Sequence, residues 1–120
     1  MGPLNIASHA ERWPVQSYPE ICTALSTAFS IQTGLSDANA FGLFRRMLED
    51  RGWRERFERE LLEAFSSPET PWRELLQNDS YEVTEPDSEE EARDLLAELL
   101  WRPTFPGKVP PKPRPNEGGR

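Results

Sequence analysis

The sequence predicts an all-α domain in which four to five helices, joined by short loops, pack around one hydrophobic core. Apolar residues recur at the three- and four-residue spacing of amphipathic helices in several separate stretches. Between these stretches lie Gly, Pro, Ser and Asp residues of the kinds that start and stop helices. The chain has 120 residues, of which 36% are hydrophobic and 10% aromatic. This length and composition suffice for a single modest core.

The first third of the sequence predicts two helices. The first begins at residues 17–20, where Pro lies near the first helical position, and it ends at Gly34, because Gly readily adopts the left-handed conformation. Ser36 or Asp37 caps the second helix, which closes at Gly52. The predicted buried stripes are Tyr18, Ile21, Cys22, Leu25 and Phe29 in the first helix, and Ala40, Phe41, Phe44, Met47 and Leu48 in the second.

The second half of the chain adds shorter elements. Residues 53–65 form the third predicted helix, whose inward residues are Trp53, Phe57, Leu61, Ala64 and Phe65. Thr70 caps a short fourth helix with Pro71 at its first position. Residues 81–83 alternate in polarity, which allows one short extended segment near Tyr81 before the chain turns into the final helix.

The densest charge in the sequence lies between residues 79 and 98. This acidic segment has nine carboxylates and one cation, Arg93, giving a local net charge of minus eight. It also has a helical apolar stripe, consisting of Ala92, Leu95, Leu96, Leu99 and Leu100. Ser88 and Glu91 have the spacing of a capping box, and acidic residues in a first turn complement the helix dipole. The segment is therefore predicted to be a docked helix with an anionic outer face.

Two interpretations of this acidic segment remain open. It is either an ordinary solvent-exposed face that favours solubility or a contact surface for a basic partner, since such surfaces steer association and select partners. Tyr81 is either a partly exposed aromatic anchor within a polar rim or, like the tryptophans, a core residue. The candidate partner-binding residues are Asp79, Tyr81, Glu82, Glu85, Asp87, Glu89, Glu90, Glu91, Asp94 and Glu98.

Both ends of the chain differ in composition from the helical domain, which is predicted at residues 17–106. Residues 1–16 mix Gly, Pro and Asn without periodicity and predict a loosely ordered arm. Residues 107–120 are basic and rich in Pro, which predicts a disordered tail. Residues 102–120 have a net charge of plus four, which leaves minus eleven on residues 1–101. Residues 1–101 are anionic enough to repel phosphate backbones, so direct nucleic-acid binding is not expected.

The sequence contains no motif that indicates an enzyme, a metal site or a cofactor. His9 is the only histidine and Cys22 the only cysteine, so neither a zinc site nor an intramolecular disulfide is expected. The P-loop, G-x-S-x-G and G-x-G-x-x-G signatures are missing as well. No apolar run has the length of a membrane span, and nothing resembles a signal peptide. We therefore expect a cytoplasmic protein without catalytic activity.

Several stretches resemble one protein family. They are SPETPWRELL at 67–76, NDSYEV at 78–83 and DSEEEARDLL at 87–96, together with Tyr18-Pro19-Glu20 at the first helix. Across residues 17–106 the chain resembles small acidic immunity proteins of bacterial polymorphic-toxin systems, including contact-dependent growth inhibition. The resemblance implies a protein that binds and neutralises a cognate toxin. Many such toxins are nucleases with cationic clefts, and we expect the inhibitor to be a monomer before it forms the complex.

Two other functions remain open. A secretion or effector chaperone is also small, acidic and cytoplasmic, although such chaperones usually work as dimers. A regulatory adaptor could use the Pro-rich basic segment at residues 110–115 as a ligand for an aromatic groove on its partner.

Overall fold

The computed structural model describes residues 17–111, whose regular structure is helical apart from one isolated bridge. Helix α1 comprises Pro19–Ala24 and continues as a π-helical turn, Leu25–Phe29. A 3-10 turn, Ile31–Thr33, comes next. Helices α2, α3 and α4 span Asp37–Leu48, Arg51–Ser66 and Trp72–Leu76. Helix α5 spans Glu89–Leu96 and continues through a π-helical turn, Ala97–Trp101, into Arg102–Thr104. The prediction of an all-α domain with four to five helices is confirmed.

One hydrophobic core joins the five helices. Its largest fully buried side chains include Ile21, Leu25, Phe44, Phe57, Leu61, Phe65, Leu75, Leu76, Leu96 and Leu100. The Phe65 ring on α3 lies with its centroid 4.7 Å from Trp72 of α4 and 5.2 Å from Trp101 at the end of α5. Burying one such side chain contributes about 1.5–3 kcal/mol. Phe65 therefore fixes α4 and α5 against α3.

The connection between α2 and α3 differs from the prediction. Gly52, predicted to close the second helix, lies in the first turn of α3, and α2 ends at Leu48. Asp50 is the N-cap of α3, and its Oδ1 accepts a hydrogen bond from the Trp53 backbone N–H at 3.1 Å. A capping carboxylate satisfies an otherwise unpaired helix N–H, so it sets the helix start despite the Gly that follows. Ser36, by contrast, caps α2 as predicted.

The segment near Tyr81 is a tight turn with a single antiparallel bridge, between Gln77 and Glu82. The Val83 N–H donates to the Leu76 carbonyl at 2.7 Å. The Ile31 N–H donates to the Glu82 carbonyl, also at 2.7 Å, so this turn is attached to the one that follows α1. The extended segment that the sequence allowed is limited to this bridge.

The chain remains attached to the helices beyond residue 106, the predicted end of the domain. The Trp101 indole N–H donates to the Lys108 carbonyl at 2.8 Å, and Arg93 Nη2 donates to the Pro111 carbonyl at 2.8 Å. Residues 107–111 therefore lie against the helical domain. The predicted arm at 1–16 and the rest of the predicted tail, 112–120, lie outside the described residues.

A carboxylate from α3 holds the N-terminus of α1. Glu60 Oε1 accepts a hydrogen bond from the Ile21 N–H at 2.7 Å. Burial raises the pKa of the Glu60 carboxyl from 4.5 to about 7, although the bond from Ile21 opposes the shift. Nearby, Glu20 Oε1 accepts from the Trp53 indole N–H at 2.7 Å.

Replacing Glu60 with glutamine is expected to flatten the pH dependence of stability between about pH 4.5 and about pH 7. In this window the folded protein binds more protons than the unfolded chain, so the free energy of unfolding falls as pH rises. Because the carboxyl is partly exposed and screened by solvent, we expect the wild-type protein to lose on the order of 1–2 kcal/mol of unfolding free energy across this window. Glutamine keeps an acceptor for Ile21 without carrying charge.

Urea denaturation across this pH range measures the effect. The exposed Glu55→Gln change removes the same charge elsewhere on α3, at a residue that does not contribute to the Glu60 shift, and should keep the wild-type slope. Equal slopes for Glu60→Gln and wild type would contradict the assignment of this pH dependence to Glu60.

Within residues 17–111, no helix is both long enough and apolar enough to cross a lipid bilayer.

Candidate partner-binding surface

The acidic segment is held in place by the start of α5. Ser88 is the N-cap, and its Oγ accepts a hydrogen bond from the Glu91 N–H at 3.0 Å. The Glu91 carboxylate in turn accepts from the Asp87 N–H at 2.8 Å, one residue before the partner expected in a capping box. Ala92 and Leu96 are fully buried beneath the helix, which fixes its rotation. The carboxylates of α5 therefore project from an ordered helix.

Eight of the ten candidate residues are exposed: Asp79, Glu85, Asp87, Glu89, Glu90, Glu91, Asp94 and Glu98. Arg93, the cation of this segment, binds other parts of the chain. Its guanidinium carbon is 5.0 Å from the centroid of the Phe65 ring, and its Nη2 binds the Pro111 carbonyl. This cation–π contact and hydrogen bond hold the charge against the body. Arg93 is the only cation between residues 79 and 98. The exposed carboxylates therefore have no counterion from their own segment.

Tyr81 is a core residue, only 2% exposed to solvent. The Asn78 Oδ1 accepts hydrogen bonds from the Ser80 and Tyr81 N–H groups at 2.9 and 3.1 Å, which closes the turn that carries the ring. Burial raises the pKa of the Tyr81 hydroxyl, and the neighbouring Cys22 thiol on α1 adds to the shift. Of the two interpretations left open for Tyr81, the core residue is therefore correct and the partly exposed aromatic anchor is wrong. The turn directs the ring inward instead of toward the acids.

Glu89 has a structural contact that the sequence did not reveal. Its Oε1 accepts hydrogen bonds from the Trp72 and Arg73 N–H groups at 2.9 and 3.3 Å, so it caps α4 from a distant part of the chain. Thr70, the predicted cap of that helix, donates its hydroxyl hydrogen to the Ala64 carbonyl at 2.6 Å instead. Glu89 therefore stabilises the junction between α4 and α5.

The remaining candidates differ in their pairing. Glu98 Oε1 lies 2.8 Å from Arg102 Nη1, but both side chains are well exposed, so this ion pair contributes little. Glu82 is half-buried beside the 3-10 turn that follows α1, where its carbonyl accepts a hydrogen bond from the Ile31 N–H. Within the described residues, the carboxylates of Asp79, Glu85, Asp87, Glu90 and Asp94 make no ion pair.

A groove brings four of the candidate carboxylates together. This acidic groove, of about 550 Å³, is lined by Thr84, Glu85, Pro86, Glu91, Asp94, Leu95, Ala97 and Glu98. One wall is the segment before α5 and the other is α5 itself. Asp79, Tyr81, Glu82, Asp87, Glu89 and Glu90 do not line it. Such a groove suits a lysine or arginine, since the charged head can bind carboxylates while its stem packs on Leu95 and Ala97.

A second groove adjoins the first and was not anticipated from the sequence. This apolar groove, of about 440 Å³, is lined by Phe29, Ser30, Ile31, Gly34, Leu35, Asp37, Phe41, Val83, Thr84, Leu95 and Leu99. Leu95 and Leu99, predicted to be buried, are only half-buried and form part of its lining. The apolar stripe of α5 is wider than the core requires, and this excess width is the signal that could have indicated the groove.

Among residues 17–111, no three or more His, Cys, Asp or Glu side chains are grouped so as to hold a metal ion. Comparison of the chain with protein-family models, curated proteins and solved structures gave no match.

Proposed function

We propose that the protein is an immunity protein that binds and neutralises a cognate bacterial toxin, a nuclease, through the acidic groove. One observation carries this proposal: four carboxylates line a groove on an ordered helix, and Arg93, which contacts Phe65 and Pro111, is not part of that lining. A nuclease must present cations to hold phosphates, and those cations are complementary to this surface. The inhibitor thereby occupies the cleft that its toxin uses for nucleic acid.

The charge of the surface suits rapid capture of a toxin. Complementary potentials accelerate diffusional encounter far above the rate for neutral surfaces, whereas exposed charges add less to final affinity. The chain has a formal net charge of minus seven, and the segment from residue 79 to 98 has the highest density of that charge. The acidic groove is therefore expected to govern the rate of association, while apolar contacts nearby supply affinity.

The proposal predicts that a toxin is encoded beside this gene, and that toxin provides the test. Its C-terminal domain, purified in an inactive form, should form a one-to-one complex with the full chain in size-exclusion chromatography. The active domain should lose its nuclease activity when the chain is added. A neighbouring toxin domain that neither binds the chain nor is inhibited by it would contradict the proposal.

A further inference from the structure

The apolar groove exposes large hydrophobic side chains on a rigid wall. Ile31 is 60% exposed and Leu35 is 40% exposed, and both lie at the groove. Behind them, the Phe29 ring packs edge-on against Phe41 and Phe44, with centroids 5.2 and 5.6 Å apart. The Ile31 backbone is fixed by its hydrogen bond to Glu82. This surface is formed before any partner binds, which lowers the entropic cost of docking.

The two grooves are neighbours along α5. Thr84 and Leu95 line both of them, so the apolar lining of one passes into the carboxylate lining of the other. Each volume lies within the range of binding sites in proteins. An apolar centre beside a charged rim is also the common arrangement of protein interfaces.

Charge decides which kind of segment this combined surface accepts. A second copy of the chain would bring another anionic body against Glu85, Glu91 and Asp94, and like charges placed opposite each other at an interface disfavour association. A purely basic segment would satisfy the acidic groove but leave Ile31 and Leu35 in water. Only a segment that combines apolar and basic side chains is complementary to both grooves.

We propose that the two grooves together form one docking site for a partner segment in which large apolar side chains lie next to lysine or arginine. The apolar side chains enter the groove at Ile31 and Leu35, and the basic side chains enter the groove at Glu85, Glu91 and Asp94. This inference rests on the proposed function, because it names the part of the toxin that the acidic groove binds. The apolar contact supplies affinity and the carboxylates supply orientation.

Three synthetic peptides of equal length test the proposal on the full chain. One combines Phe and Leu with Lys, the second has Ser in place of the apolar residues, and the third has Glu in place of Lys. We expect the basic–apolar peptide to bind at least about tenfold more tightly than the basic–serine peptide, and the acidic peptide not to bind. In NMR spectra, the methyl signals of Ile31, Leu35 and Leu95 should shift with the first peptide.

Matched variants locate the effect. The double change Ile31→Ser with Leu35→Ser should reduce the affinity for the basic–apolar peptide to that for the basic–serine peptide. The control double change, Leu62→Ser with Val109→Ser, alters two exposed apolar side chains outside both grooves and should bind like wild type.

Equal affinity for the two basic peptides, or binding of neither, would overturn the combined docking site. The proposed function has its own test, because failure of the toxin domain to bind the chain would overturn the function itself. Two further results would assign the grooves to another occupant and overturn the proposal. One is a dimer in sedimentation that Ile31→Ser with Leu35→Ser abolishes. The other is nuclear Overhauser contacts between the Ile31 methyls and residues 112–120 of the same chain.

Discussion

Replacing Phe65 with alanine is expected to lower the free energy of unfolding by about 3–5 kcal/mol, the usual cost of truncating a buried phenylalanine. Phe65 is fully buried and contacts Trp72 and Trp101, so its removal leaves a cavity where α3, α4 and α5 meet. It also removes the ring that holds the Arg93 guanidinium. For a domain of this size, each kcal/mol lowers the melting temperature by roughly 4–8 °C.

Thermal and urea denaturation measure this loss. The Phe65→Leu change retains most of the apolar volume and should destabilise the protein by much less, which separates the cavity from a general effect of substitution. A loss below about 1 kcal/mol for Phe65→Ala would contradict the central position of this ring, since it would fall within the range of ordinary substitutions.

Reversing the charge of Glu85 and Asp94 to lysine is expected to slow association with the toxin domain at least about tenfold at low salt. Both carboxylates line the acidic groove, and neither makes an ion pair within the described residues. Glu89 and Glu91 stay unchanged in this variant, because they bind backbone N–H groups at Trp72 and Asp87. The change therefore alters the charge of the groove without removing a cap.

A matched variant separates local from total charge. Glu49→Lys with Glu55→Lys changes the net charge by the same amount on exposed residues outside the acidic groove. When both variants are compared at about 0.1 M salt, its association rate should remain within about twofold of wild type while that of the groove variant falls, because screening then limits the reach of surface charges to roughly 10 Å. Stopped-flow fluorescence of the complex gives both rates. Equal slowing in the two variants would show that total charge, rather than the groove, controls association.

The helices could be predicted because their signals are local. Apolar stripes with a helical period specify which face of each helix is buried, and Phe57, Leu61 and Phe65 lie in the core as their spacing predicts. The Ser88 cap is likewise a local hydrogen bond, formed within one turn of α5. Such features depend on residues three or four positions apart, so the sequence alone contains them.

The candidate site was less predictable because its geometry depends on contacts between distant residues. Glu89 caps α4 only because the chain returns to that helix 16 to 17 residues later. Tyr81 is buried because its turn packs against α1, a contact that the neighbouring acids do not signal. Leu95 and Leu99 are half-buried because that edge of α5 lines the apolar groove. In each case the contacts of the side chain depend on how distant parts of the chain pack together.

The rate at which the wild-type chain associates with the toxin domain, measured over a range of salt concentrations, tests the acidic groove most directly. The Debye length falls from about 30 Å at 0.01 M salt to about 8 Å at 0.15 M. We expect a steep fall in the association rate over this range, and a much shallower fall for the Glu85→Lys with Asp94→Lys variant. A wild-type association rate that does not change with salt would contradict a role of the acidic groove in association.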